Sequence, residues 1–416
     1  MFSKIKKMVL KLSPAFLVRL YHYSLAFLGA CFYGFPSRKI KIIGITGTKG
    51  KSSTLEILNK IFEDAGFKTA LIGTIRFKIG DKEIPNLKKM TMPGRFFIQK
   101  MINLAVKENC DFVIMEITSE GAKQMRHKFL ELDVLIFTNL APEHIESHGS
   151  YEKYRSAKLE IAKKLNTSLK KDKFIVLNGD DKETPLFERV CLKIEKIYFS
   201  KNDFQNGLIK INDTEIKSAL VGEFNLYNIA SAVKTALKFN VPIEKIKESV
   251  ENFKTIPGRA EEIDLGQNFK VVVDYAHTPN SLVAIYQAYP ENKVCVLGAT
   301  GGGRDKWKRP ELGKIADKYC KKIFLTDEDP YDENPREIVN QIFAGITNRD
   351  KVEIEMDRRK AIRLALNYAS QNDDINAVIL TGKGVDPYIM RANGEKEIWD
   401  EKQIATEELK KILQQK

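Results

Sequence analysis

The stretch "RKIKIIGITGTKGKSSTLEIL", residues 38–58, limits the fold more than any other part of the chain. An apolar, β-branched run reads as a buried strand. Glycines at 44, 47 and 50 follow, then Lys51, Ser52, Ser53 and Thr54. Leu55, Leu58, Ile61 and Phe62 recur at helical spacing, and Gly66 ends the run. The spacing therefore predicts a strand, a glycine loop and a helix start. Such a loop aims backbone N–H groups at an anion, and the helix N-terminus adds positive potential. On this reading Lys51 reaches the β and γ phosphates and Ser52 ligates Mg²⁺. The spacing departs from the common phosphate loop: five residues separate Gly44 from Gly50, and Ile45 stands where that pattern has glycine. The alternative is a tight strand-to-helix turn with a solvated lysine.

Similar apolar runs alternate with helical patterns along the chain: "KTALIGT", "CDFVIMEI", "DVLIFTNL", "KFIVLNGDD", "FKVVVDYA", "KVCVLGAT", "KIFLTDED" and "NAVILTGKG". This alternation predicts an α/β fold with mostly parallel sheets flanked by helices. Functional residues then belong at the C-terminal strand ends, where Glu116, Asn139, Asp274, Gly298 and Lys383 fall. The 416 residues leave room for two or three domains. Pro257 and Gly258, in "TIPGRAEEI", break the chain between two alternating blocks. The expected plan is an N-terminal helical segment (1–38), a central P-loop-type domain (39–256) and a Rossmann-like α/β domain (257–416).

The net charge of +13 raises nucleic acid as a partner, but its distribution argues against one. Residues 1–41 hold eight Lys/Arg and no acid, so the rest carries only +5. No nucleic-acid motif accompanies it. Five scattered cysteines lack metal-site spacing and fit a reduced, cytoplasmic setting. The segment "LSPAFLVRLYHYSLAFLGACFYGFP" (12–36) is apolar and aromatic, with Ser13 and Pro14 reading as N-cap and first helical residue. Arg19 and His22 interrupt it, which disfavours a span. Two readings stand: a helix packed on the body, or an interfacial helix that lies on an anionic membrane, aided by lysines 4, 6, 7 and 11.

Further constellations carry chemistry. Glu116 ends the strand in "VIMEITSEG" and reads either as a Mg²⁺ ligand or as a solvated turn residue. His144 and His148 stand four apart, a spacing that could share a helix face, and Lys158 follows in "RSAKLEI". A lysine amine is a poor Mg²⁺ ligand, whereas its carbamate offers oxygens. Asn225 and Asn228 read as helix-start caps or, for Asn228, as a contact to adenine. "VVVDYAHTPNSL" ends a strand with Asp274, and "LGATGGGRDKWKRP" puts three glycines before clustered charges.

Together these stretches resemble the Mur ligase family, ATP-dependent amide-bond enzymes of peptidoglycan precursor synthesis, and most of all its MurE branch, which adds the third residue of the stem peptide. "GITGTKGKSST" is similar to the family's phosphate loop, with Lys49 where asparagine is usual; "MEITSEG", "TNLAPEHIESHGSYEKYRSAK", "GEFNLYNIASA", "IPGRAE", "DYAHTPNSL" and "GATGGGRDKWKRP" match in order. The resemblance implies that Gly47, Thr48, Lys49, Gly50, Lys51, Ser52 and Ser53 cradle ATP. It implies that Ser52 and Glu116 hold one Mg²⁺, and that His144 and a carbamylated Lys158 serve a second. Asn228 would read adenine, and Arg259 and Asp274 would close on the nucleotide. Thr91, Thr118 and Arg126 would meet a muramoyl peptide; Asp329, Gly382 and Asp386 would meet the amino acid.

Three departures qualify the match. About forty residues precede the loop, so the family's uridine-nucleotide domain is expected to be missing. "TMPGR" (91–95) keeps Thr91 but loses a second hydroxyl expected beside it. Tyr331 stands where diaminopimelate enzymes carry a carboxylate-clamping arginine, and Val385 and Asp386 replace His-Glu. The competing expectations are a Mur-type ligase acting on a lipid-linked muramoyl peptide, seated peripherally at the membrane, and a non-catalytic, membrane-associated nucleotide-binding protein. Folylpolyglutamate synthase shares the loop style, but the later motifs are less like it.

Overall fold

The computed structural model describes residues 13–143 and 145–414. The chain divides into two compact units. The first gathers residues up to 141, 151–216 and 227–250; the second gathers 142–150, 217–226 and 251 onward.

The first unit is built on an eight-stranded sheet. Its strands are β1 (Lys41–Thr46), β2 (Thr69–Ile72), β3 (Arg76–Ile79), β4 (Lys82–Pro85), β5 (Phe112–Glu116), β6 (Val134–Phe137), β7 (Phe174–Asn178) and β8 (Glu195–Phe199). Their spatial order is β4-β3-β2-β5-β1-β6-β7-β8. All neighbours from β2 to β8 pair in parallel, and only β3 is reversed, pairing antiparallel with both β2 and β4. The central strands are continuous Ile, Val, Leu and Phe runs buried on both faces, as a parallel sheet covered by helices requires. From β1 the chain crosses to β2 on one side while β6 flanks β1 on the other. The C-terminal end of β1 is therefore a switch point in strand order, the position where open α/β sheets form a crevice.

The helix Lys51–Asp64 starts at that end. Leu55, Leu58, Ile61 and Phe62 are buried, as their spacing predicts, and Phe62 stacks on Phe112 at 4.4 Å. Gly66, at φ +91°, closes the helix by donating its N–H to the Glu63 carbonyl at 2.9 Å.

The N-terminal helix runs Ala15–Phe32, one residue later than expected. Pro14 has extended backbone and acts through its carbonyl, which accepts from Leu17 and Val18 at 3.0 and 3.2 Å. It therefore takes the cap position expected of Ser13. Ala26 and Ala30 are buried, and Gly29 lies against Phe96 of the helix Arg95–Lys107. This helix packs on the first unit. Among the described residues no helix is long and apolar enough to cross a membrane. Three short strands, β9 (Phe204–Gln205), β10 (Leu208–Ile211) and β11 (Thr214–Lys217), form a separate sheet.

The second unit holds a six-stranded sheet in the order β12-β13-β17-β14-β15-β16. These are β12 (Glu261–Ile263), β13 (Lys270–Val273), β14 (Lys293–Leu297), β15 (Cys320–Leu325), β16 (Val352–Ile354) and β17 (Ala377–Leu380). Only β12 is antiparallel. Alternate residues serve two cores. Val271, Val273, Val294, Val296 and Val378 pack with the helices Arg358–Gln371 and Glu401–Leu413; Val272, Cys295, Leu297 and Ile379 face Pro279–Ala288, Lys308–Tyr319 and Pro335–Phe343. A hairpin of β18 (Tyr388–Met390) and β19 (Lys396–Ile398) follows. The mostly parallel α/β class is as expected, and all eight quoted apolar runs are strands.

Candidate functional site

The glycine loop leaves β1 through two positions only glycine fills. Gly47 and Gly50 have φ of +152° and +84°. A Cβ on Gly47 would stand 1.9 Å from Thr138 Oγ1, and one on Gly50 would stand 2.3 Å from Asn228 Oδ1. The end of β6 holds the loop from outside: Thr48 N–H donates to the Asn139 carbonyl at 2.9 Å and Lys49 N–H to Asn139 Oδ1 at 3.0 Å. Thr138 Oγ1 donates to the Lys49 carbonyl at 2.6 Å. Thr48 Oγ1 lies 2.9 Å from the hydroxyl of Tyr154.

Three charged or polar side chains converge on this loop. Lys51 Nζ donates to the carbonyls of Gly47 and Thr48 at 2.9 and 3.0 Å. Lys158, on the helix Tyr151–Asn166, is 1% exposed and donates to the Gly47 carbonyl at 2.7 Å. Ser52, in the first turn of its helix, donates its hydroxyl to Glu116 Oε1 at 2.9 Å; Ser53 is buried beside it. Glu116 ends β5 and is itself oriented by Thr74, which gives N–H to Oε1 at 2.7 Å and hydroxyl to Oε2 at 3.1 Å. Hydroxyl and carboxylate oxygens suit Mg²⁺, and both lie next to a helix N-terminus fit for phosphate. Among the described residues no three His, Cys, Asp or Glu side chains gather to hold an ion by themselves.

Thr91 lies 2.8 Å from Thr74 through their hydroxyls, which links it to the Glu116 cluster. Thr118 caps the helix Ser119–Lys123 by accepting from Gly121 N–H at 3.0 Å. Arg126 donates to Gln124 Oε1 at 2.8 Å and to the Met92 carbonyl, and burial lowers its pKa. Asn228 lies inside the helix Glu223–Lys238 and faces the loop, its Oδ1 3.5 Å from Thr54 Oγ1. It is not a cap, and nor is Asn225, which donates to the Val221 carbonyl at 2.8 Å: the helix begins earlier, at Glu223.

The second unit holds its own polar cluster. Asp274, just past β13, accepts N–H bonds from Ala260 at 2.7 Å and Ala276 at 2.6 Å. Burial raises its pKa against the opposing pull of Arg259. Arg259 lies over the Tyr275 ring at 4.5 Å and donates to the Gly258 carbonyl. Gly382, at φ +100°, donates its N–H to the Asp274 carbonyl at 3.1 Å; a Cβ there would meet Glu328 Oε2 at 2.2 Å. Lys383 is fully buried and donates to Asp329 Oδ1 at 3.0 Å, with Asp386 Oδ2 at 3.9 Å. Arg358 secures the strand-end loop through the Thr381 carbonyl at 2.7 Å and pairs with Glu401 at 2.5 Å, both side chains buried. Glu143, His277, Arg304, Trp307 and Lys308 line a recess in this unit, where His277 Nε2 stands 3.4 Å from Glu143 Oε1.

The first unit thus gathers Gly47 to Ser53, Glu116, Lys158, Asn228 and Thr91, with Thr118 and Arg126 nearby. The second gathers Arg259, Asp274 and Gly382, and separately Asp329 and Asp386 around Lys383. His144 lies outside the described residues. Thr74, Tyr154 and Glu328 were not singled out from the sequence. Thr74 ends a quoted strand run, so the strand-end rule reaches it, whereas Tyr154 carries no such signal.

A parallel sheet whose switch point presents a glycine loop, a lysine, a serine and a carboxylate is the arrangement of phosphate-binding α/β proteins. The profile of the Mur ligase middle domain matches residues 45–236, and that of the Mur ligase, glutamate ligase domain matches 258–384. The chain belongs to the Mur ligase family. It is 35% identical over 406 residues to the UDP-N-acetylmuramoyl-L-alanyl-D-glutamate–2,6-diaminopimelate ligase of Fusobacterium nucleatum, covering 93% of this chain and 81% of that one. A solved structure of an enzyme with that same name shares the fold at TM-score 0.59 and 24% identity, over 89% of this chain and 78% of that one. Mycobacterium tuberculosis folylpolyglutamate synthase complexed with ADP shares it at TM-score 0.67 and 17% identity, over 88% and 92%.

Proposed function

We propose that the chain is an ATP-dependent, ADP-forming ligase that joins an amino acid to a carboxylate of a muramoyl peptide in peptidoglycan precursor synthesis. The Ser52–Glu116 pair beside Lys51, at the mouth of β1, carries this reading. The names of the relatives support the muramoyl acceptor.

A carboxylate oxygen of the acceptor attacks the γ-phosphorus of ATP, the bond to the bridging oxygen breaks, and ADP leaves. The amine nitrogen then attacks the acyl carbon, the C–O bond to phosphate breaks, and the amine loses a proton. Mg²⁺, when bound, neutralises phosphate charge. Ser52 and Glu116 hold it, Lys51 faces the β and γ phosphates, and Asn228 meets adenine. Arg259 and Asp274 serve the nucleotide, and positioning carries most of the rate. Lys158, as a carbamate, and His144 serve a second ion. Thr91, Thr118 and Arg126 address the acceptor; Asp329, Gly382 and Asp386 address the amino acid. The acceptor is UDP-linked or lipid-linked, and the lipid-linked form goes with a peripheral seat at a membrane.

Phosphate release from ATP, screened over a matrix of amino acids and UDP- or lipid-linked muramoyl peptides, tests this reading. One pair should release phosphate in proportion to amide formed. Nucleotide binding with no turnover in any arm would overturn it and favour the non-catalytic alternative. Diaminopimelate is one arm of the screen, because Tyr331 lacks the arginine clamp.

A further inference from the structure

We infer that the outward face of the helix Ala15–Phe32 docks on an anionic phospholipid surface. The inference concerns this face alone and stands whether or not the chain is a ligase. The helix has two unlike sides. Its small residues, Ala26, Gly29 and Ala30, face the body of the first unit. Phe16 and Leu20, four apart, turn away from that side and are 68% and 57% exposed, and Phe27, 44% exposed, stands at the edge where the face meets the body. Leu17, Leu28 and Phe32 widen the stripe, each at least 45% exposed. Tyr23 and Phe27 pack on Phe129 at 5.2 and 5.4 Å between ring centroids, so the stripe is braced on the body. Phe96, from the neighbouring helix, is 41% exposed and extends it, 6.3 Å from Phe32.

A contiguous apolar face of this kind marks an interaction site. Charge identifies the occupant. Residues 1–41 contain eight Lys/Arg and no Asp/Glu, and Arg19, Arg38, Lys39 and Lys41 are exposed. A second copy joined through the same face would bring like charges together, whereas an anionic leaflet is complementary to them. The helix is not one that crosses a membrane, and an apolar face on a stretch whose charges are all positive suits the plane of the interface.

Co-sedimentation of the full chain with phosphatidylcholine vesicles, with and without about 30% phosphatidylglycerol, tests this. At about 0.1 M salt the anionic vesicles should bind at least about tenfold more tightly than the neutral ones, and about 0.5 M salt should remove most of that difference. The triple variant Phe16→Ser, Leu20→Ser, Leu28→Ser should lose binding at an unchanged melting temperature, because these side chains are already exposed. If it does not fold, the variant Lys4→Glu, Lys6→Glu, Lys7→Glu, Lys11→Glu should show the same loss. Phe27→Trp should shift its emission to the blue on anionic vesicles; the native tryptophans, 307 and 399, lie in the second unit. Three outcomes overturn the inference: a full chain that stays in the supernatant at low salt, equal binding to both vesicles, or a dimer that the triple variant dissociates without any lipid binding.

Discussion

Lys51 and Lys158 donate to one oxygen, the carbonyl of Gly47, at 2.9 and 2.7 Å. One lysine comes from the helix that the loop opens, the other from a helix far along the chain. Both ε-amino groups therefore meet on the turn where a phosphate would sit.

The first prediction follows from that meeting. A carbamate on Lys158 keeps one N–H for Gly47 and replaces a cation beside Lys51 with an anion whose oxygens suit Mg²⁺. Intact-mass analysis under bicarbonate should show the added CO₂. Lys158→Ala should lose at least about a hundredfold in turnover, with partial rescue by a short carboxylate. Full activity without rescue would remove the claim.

Lys51→Ala tests the phosphate assignment. The side chain is half-buried with two bonds to loop carbonyls, so its loss should cost only about 1 kcal/mol of stability. Turnover should fall by about a thousandfold, the order seen when a transition-state charge partner is removed. A variant that melts normally and turns over normally would sink the assignment.

Gly47→Ala should damage fold and activity together. Its methyl would meet Thr138 Oγ1 at 1.9 Å on a backbone at φ +152°. Loss of about 2–4 kcal/mol by urea unfolding is expected. Gly66→Ala is the contrast: no heavy atom crowds that position, so only the cost of its positive φ, about 1 kcal/mol, should remain.

His127 sets an acid limit on stability. It is 1% exposed with neither ring nitrogen hydrogen-bonded, and burial, aided by Lys128, lowers its pKa to about 3. An unfolded histidine takes its proton near 6.5. Between these values the unfolded state binds more protons, so stability falls as pH drops from 6.5 toward 3. From pH 6.5 to 5 the loss from this residue approaches about 2 kcal/mol. Urea unfolding of His127→Leu should show a pH slope smaller by that amount; an identical slope would refute the role.

The strands were legible because parallel β-sheet burial writes itself as unbroken runs such as "DFVIMEI" and "AVIL". The hairpin of β3 and β4 was less so: every residue of β4 is exposed, which leaves no apolar pattern to read. Glu116 was legible as a strand-end acid. The grip of Thr74 on both its oxygens was not, because it depends on two strand ends 42 residues apart meeting in space. The N-terminal helix offered two readings, and its small-residue side packs on the body. The capping expected of Asn225 and Asn228 failed for a local reason: Glu223 already lies in the helix, so both asparagines fall within it.

The buried pair of Arg358 and Glu401 has a consequence for how the protein is born. Arg358 reaches back to the Thr381 carbonyl, next to Gly382 and Lys383, while its counter-charge arrives only with the helix Glu401–Leu413. During synthesis the guanidinium waits without its carboxylate until Glu401 has been added. The strand-end loop of the second unit is then secured among the last events, and a nascent chain cut short before that helix would leave Arg358 without its salt-bridge partner.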